Sequence, residues 1–199
     1  MRLPKEKILL NSHFPKELET LLEYAEKAIK EWKVTWSSFV SAQVIEEAKH
    51  KFNDLNDLTC KYDGGFPSAE RQRICFIRSE QENASDNLDP PIKGIYIKGN
   101  FLFDQAKRNE FRDFLVELYA QEDEIGDIWL IRDRGAQAIC SEKCANFMHK
   151  KISKLREVEI AIEVLPINEM EIPFKRSEKV IDTVEASKRI DAIASAGFS

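Results

Sequence analysis

The run Gly64-Gly65-Phe66-Pro67-Ser68-Ala69-Glu70-Arg71-Gln72-Arg73 concentrates residue types that together can hold an oxyanion. Paired glycines free the backbone for φ > 0 or for close approach to a bulky group. Pro67 stiffens the turn, and Ser68 is placed to cap a short helical turn over Ala69, Glu70 and Arg71. Arg71 and Arg73 follow at once, with Arg78 further along. Exposed backbone N–H groups beside fork-shaped guanidinium donors make a phosphate-sized site. An ordinary charged hairpin loop uses the same residues, so the loop alone does not decide its role.

A second basic group, Lys150, Lys151, Lys154 and Arg156, falls where a helix is expected to end. Cations there complement the helix dipole, which already accounts for several of them; facing phosphates is the second reading. Enzymatic patterns are sparse. His13, His50 and His149 are scattered, and no Gly-rich loop with Lys-Ser/Thr is present. Cys140 and Cys144 offer two zinc ligands, but a closed site would need Cys60 and Cys75 to converge on them. The expectation is a non-enzymatic protein with no metal and no cofactor.

These residues need elements to position them. The chain has 199 residues, 43% of them hydrophobic and 33% charged, with a formal net charge of -5. That balance excludes a uniformly basic coat, so any anion-binding surface must be a local patch. No apolar run approaches a membrane span, and Met1–Lys7 has no signal-peptide core. Cytosol-like reduced thiols are expected for the four cysteines. Residues up to Ser12 are expected to be loose. Leu18, Leu21, Leu22, Ala25, Ala28, Ile29 and Trp32 then recur at helical spacing after Pro15. Ser41 is placed as N-cap of a second helix, which buries Val44, Ile45, Ala48 and Phe52. Trp32, Trp36 and Phe39 are expected in the core.

From Leu58 the period changes to two, giving a hairpin of Leu58–Tyr62 and Arg73–Arg78. Ile92–Lys98 is a strand, and Asp104 is placed to cap the helix of Phe111, Phe114, Leu115 and Leu118. Asp127–Ile131 and Ala136–Cys140 are strands. Ser141 is placed to cap a helix carrying Cys144, Met148 and Ile152, and Val158–Leu165 is a last strand. The fold class is α+β: a helical N-terminal part over 1–56, then a ferredoxin-like α/β plait (βαββαβ) over 57–166. The hairpin is expected to extend the plait's sheet. RNA-recognition motifs share this order but stack bases on aromatics of two central strands. Here Tyr96 has no aromatic partner on Ala136–Cys140, and Glu159 and Glu163 fall beside it. Tyr96 is therefore expected beneath the hairpin or the N-terminal helices. Residues 167–199 are expected to hold a charged linker, Lys175–Lys179, and a helix at Val184–Phe198.

The glycine–arginine run resembles the Gly-Gly-(Tyr/Phe)-Pro-x-Ala-Glu-Arg signature of YlmH-type RNA-binding proteins. Phe39-Val40-Ser41-Ala42-Gln43, Ile125-Gly126-Asp127-Ile128 and Gly135-Ala136-Gln137 are similar to further family signatures in the same order. Val184–Phe198 resembles the opening helix of the family's C-terminal αL module, most of which would lie beyond Ser199. Glu122-Asp123-Glu124 departs from the basic residues many members carry there. The resemblance implies rRNA or tRNA binding at the large ribosomal subunit, in ribosome-associated quality control. The RNA contacts expected are from Gly64, Gly65, Arg71, Arg73, Arg78, Lys150, Lys151, Lys154, Lys188 and Arg189. A monomer is expected, in the cytoplasm or plastid stroma and without a membrane. The alternative is a protein-interaction adaptor, related to cell division or photosystem II, that makes no RNA contact through this part.

Overall fold

Pro15 opens the longest helix, where its missing N–H costs nothing and its fixed φ fits the first turn. This helix, α2 (Pro15–Glu31), follows a short α1 (Lys5–Leu9) in a computed structural model that describes residues 3–53, 55–80 and 88–173. Leu18, Leu21, Leu22, Ala25, Ala28 and Ile29 are all buried along one face of α2. The stretch before Ser12, expected to be loose, is instead tied down by Leu3 and Ile8, which are buried against that face. Ser41 caps α3 (Ala42–Phe52) as expected, accepting from the Val44 N–H at 3.5 Å.

The hairpin is β2 (Leu58–Asp63) and β3 (Arg73–Arg78), and a short β1 (Thr35–Trp36) pairs with the far edge of β3. The resulting sheet, in order β1-β3-β2, is separate from the plait's sheet. This corrects the expectation that the hairpin extends the plait. Leu58, Ile74 and Phe76 share a core with Val44, Ala48 and Phe52 of α3 and the apolar face of α2. The hairpin's apolar face goes to the helices, and its central strand is already paired on both edges.

The second sheet holds β4 (Ile92–Gly99), β5 (Ile125–Leu130), β6 (Gly135–Ser141), β7 (Ile152–Leu155) and β8 (Val158–Leu165), in order β5-β6-β4-β8-β7. With α4 (Arg108–Tyr119) and α5 (Glu142–Met148), this is the expected plait with one additional edge strand. Ile95, Ile97, Ala138, Ile160 and Ile162 meet Phe111, Leu115, Cys144 and Met148 in its core. Two helix boundaries differ from expectation, and β5 begins at Ile125 rather than Asp127. α4 starts at Arg108 rather than after Asp104, and the Glu110 carboxylate accepts from the Lys107 N–H at 2.8 Å. Asp104 instead pairs with Arg156 at 2.6 Å. α5 stops at Met148 because Lys150 turns into the left-handed region at φ 60 and its N–H joins the Ile162 carbonyl. Ile152 is therefore a strand residue and 76% exposed, not part of a helical stripe.

The sheet face away from α4 and α5 is closed. Tyr96, Ile92, Trp129, Ile131 and Ile139 lie there under Phe39, Phe66, Ile167, Met170 and Ile172. Tyr96 is 8% exposed, beneath the loop of the hairpin as the sequence suggested. Of the three aromatics expected inside, Phe39 is buried, Trp36 is only half-buried, and Trp32 is 52% exposed at the left-handed end of α2. Lys175–Lys179 and the Val184–Phe198 helix, with Lys188 and Arg189, lie outside the described residues.

Candidate nucleic-acid interface

The glycine–arginine loop is held from within. The Asp127 carboxylate accepts from the backbone N–H groups of Glu70, at 2.7 Å, and Arg71, at 3.1 Å. The nest expected to receive a phosphate thus receives the protein's own carboxylate, delivered by β5. A β-bulge delivers it: the β5–β6 register shifts between Ile125 and Ile128, so both isoleucines enter the helix-side core although they are three residues apart. The extra residue re-aims Gly126-Asp127 at the loop. Burial pushes the Asp127 carboxyl up from its ordinary range, while its two backbone N–H partners pull it down.

The glycines serve this packing. A Cβ on Gly64 would collide with the Arg71 carbonyl and lie 2.5 Å from the Ala69 Cβ. Gly65 has φ +93, and a Cβ there would lie 2.6 Å from Ile139 of the plait. Its N–H is bound by Asp63 at 2.6 Å. Both positions face protein, which corrects their reading as points of close approach to a phosphate. Ser68 caps no helix; the segment is a turn closed by Ala69 N–H to the Phe66 carbonyl at 3.1 Å.

Arg73 is the clearest correction. It is 8% exposed. Its Nε donates to the Ser37 carbonyl at 2.5 Å and its Nη1 to the Pro91 carbonyl at 3.1 Å. Burial lowers its pKa, the direction expected for a cation removed from water. Its guanidinium ties the N-terminal part to the entry of β4 and leaves no open fork for a phosphate. Arg78 lies over the Trp32 ring at 3.7 Å and pairs with Glu80 at 3.2 Å. Arg71 is half-buried beside Glu122 and Asp123, with its Nε buried and unpartnered. Arg112 of α4 donates to the Gly126 carbonyl at 2.7 Å, and burial and then the Arg71 charge lower its pKa.

Lys150, Lys151 and Lys154 come to the surface together where α5 turns into β7. The Lys151 ammonium stands 3.5 Å from the centroid of the Phe147 ring, which is 48% exposed and packs against Tyr119 at 5.3 Å. Lys143 lies one turn before Phe147 on α5. Lys143, Lys150 and Lys151 form no ion pair among the described residues, and Lys154 reaches Glu157 only at 4.0 Å. Phe147 escaped the sequence reading: it shares a helix face with Lys143 four residues before it, but Lys151 lies beyond the end of α5 and no helical spacing joins it to Phe147.

The cysteines do not converge. Cys60 packs with the N-terminal core, while Cys140 and Cys144 are in the plait core. Burial pushes the Cys60 thiol up to about 12, away from the thiolate a metal needs. Among the described residues, no group of three or more His, Cys, Asp or Glu is arranged to hold a metal ion. No helix among them is long and apolar enough to cross a membrane.

The loop, its Asp127 partner and the hairpin packed on α2 and α3 set the frame for comparison with known proteins. Residues 14–81 match the family model described as YlmH, N-terminal. Over those residues the chain is similar to the YlmH family. The matched stretch coincides with the helical core together with its hairpin, the grouping the packing gives. Cell division protein ylmH from Streptococcus pneumoniae has a similar solved structure, with a TM-score of 0.61. It is 18% identical, and the likeness covers 80% of this chain and 98% of that one. At that identity the likeness is one of fold. No curated protein sequence matches this chain significantly.

Proposed function

We propose that this protein is a YlmH-type, non-enzymatic RNA-binding protein that acts at the large ribosomal subunit and tRNA in ribosome-associated quality control. The observation that supports RNA binding is the Lys143, Lys150, Lys151 and Phe147 surface. Three lysines with no ion-pair partner among the described residues lie on or just after α5, and one of them, Lys151, stands over a half-exposed aromatic ring, on a chain of net charge -5. Such lysines supply phosphate contacts through counterion release, and the ring supplies a stacking face. The ribosomal setting comes from the family resemblance. The direct test is equilibrium binding of fluorescein-labelled tRNA and of a single-stranded oligonucleotide at low salt. Saturable binding supports the reading; no binding with a folded protein removes it.

A second reading is protein docking. Phe103 is 94% exposed and Leu102 54% exposed in the loop after β4, and the structurally similar protein is named for cell division. Salt separates the two readings, since apolar docking does not weaken as salt rises while phosphate binding does.

A further inference from the structure

The hairpin sheet ends in an open edge. In the order β1-β3-β2, β2 is the outer strand, and among the described residues no strand pairs with its far side. The register fixes which backbone groups face outward. On one side of β3, the Ile74 carbonyl accepts from the Ser37 N–H at 2.9 Å. On the other side, the Ser79 N–H donates to the Asp57 carbonyl at 3.1 Å. Antiparallel pairing alternates, so Thr59, Lys61 and Asp63 turn their N–H and C=O groups to Ile77, Cys75 and Arg73. Cys60 and Tyr62 turn theirs outward. Neither finds a backbone partner among the described residues, and both are only half-buried. The strand has no proline and no register break, two of the devices that blunt an edge.

A groove runs beside this edge, with Lys49, Phe52 and Asn53 of α3 on one side and Leu58, Cys60 and Tyr62 of β2 on the other. Phe52 and Leu58 form its buried floor. Its one charged residue, Lys49, stands 5.4 Å from the Tyr62 ring centroid and pairs with Glu46 at 2.7 Å. The groove therefore offers apolar contact with its charge already balanced. On the opposite face of β2, Lys61 is exposed, and Asp63 is turned to its own loop, accepting from the Gly65 N–H. An open strand edge beside a helix and an apolar groove is built to accept an added strand. The outward groups are donors and acceptors in alternation, which an extended backbone matches. Phosphates only accept, and would leave the outward carbonyls unpaired. We propose that β2 receives an extended segment of another protein as a fourth strand of this three-stranded sheet, with apolar side chains in the groove and an acidic side chain opposite Lys61. Lys61 faces β3 with its backbone, so its pairing with the added strand is of the kind that brings side chains closest.

The test uses the full chain and peptides of the length of β2, six residues, in which glutamate alternates with valine, leucine or phenylalanine. Amide hydrogen exchange is read residue by residue. In the free protein the Thr59 and Lys61 amides exchange slowly, and the Cys60 and Tyr62 amides exchange fast. At least one peptide slows Cys60 and Tyr62 saturably and leaves Thr59 and Lys61 unchanged. Cys60→Pro removes an outward N–H without touching the ladder to β3, a change that edge strands tolerate. It weakens that peptide about tenfold beyond Cys60→Ala, the loss expected for one hydrogen bond. Lys61→Glu, at an exposed position, reverses the preference from the glutamate peptide to its lysine counterpart. This reversal decides the matter if Cys60→Pro fails to fold. Slow exchange of Cys60 and Tyr62 in the free protein overturns the proposal, because the chain then covers its own edge. Protection that grows with protein concentration alone also overturns it, in favour of a second copy. So does a failure of every peptide to bind, or equal binding by Cys60→Pro and Cys60→Ala.

Discussion

At the scale of residues, most of the glycine–arginine run turns out to be internal scaffolding. Arg73 makes the sharpest prediction. Each hydrogen bond from a charged group contributes about 1.5–3 kcal/mol, and a bereft carbonyl adds its own cost. Arg73→Gln should therefore lower stability by about 2 kcal/mol or more in urea denaturation, and leave RNA affinity unchanged once folded. Weakened RNA binding at unchanged stability would restore its reading as a phosphate ligand. Gly65→Ala should also destabilise, by about 1–3 kcal/mol, because a side chain at φ +93 is strained and here meets Ile139. Both residues stand out in the sequence as special, and they are. A sequence shows that a guanidinium or a φ > 0 position is needed, but not whether the group opposite it is a phosphate or another part of the same chain. The partners of Arg73 are the carbonyls of Ser37 and Pro91, 36 and 18 residues away in the chain. No local pattern carries that pairing.

Elements are more legible than their joins. Ser141 caps α5 as its position suggests, accepting from the Cys144 N–H at 3.1 Å. Ser141→Ala should cost about 1 kcal/mol, read as a lower urea midpoint with an unchanged denaturant slope. No change would mean that α5 is held by Cys144 and Met148 packing alone. The strands of the plait and their order follow from alternation and capped helices, and they stand as expected. What periodicity misses is β7. Ile152 fits the apolar spacing of α5, but the left-handed turn at Lys150 ends the helix, and that turn depends on the bond to Ile162 in a distant strand. The hairpin's place is hidden for a related reason. Its alternation says that one face is buried, not against which layer, and α2 and α3 are the nearer claimants. The bulge at Gly126-Asp127 is likewise invisible until β6 sets the register.

For the whole molecule, Asp127 is the joint at which the plait grips the N-terminal part. Its pKa is raised above 3.8, with burial the leading cause and the Glu70 charge adding to it, while the Glu70 and Arg71 N–H groups and Arg108 oppose. A carboxyl raised in the folded state binds its proton more readily there than in the unfolded chain. Its contribution is thus fullest at low pH and is lost as pH rises through the folded pKa. The stability of the wild type relative to Asp127→Asn should therefore shrink as pH rises from about 3.5 to 6, measured as paired urea midpoints. An advantage that grows with pH would mean that the backbone N–H groups outweigh burial.

The loop held at this joint helps close the sheet face over Tyr96, and the surface proposed for RNA is the turn from α5 into β7. The most direct test is the salt dependence of RNA binding by the wild-type protein and by Lys150→Gln/Lys151→Gln, using a single-stranded oligonucleotide. For the wild type, log affinity should fall linearly with log salt. The double variant should bind more weakly at low salt, keep its melting temperature, and show a slope shallower by roughly 0.7 for each phosphate it no longer neutralises. Equal affinity and an equal slope for the two proteins would contradict the assignment of this surface to RNA.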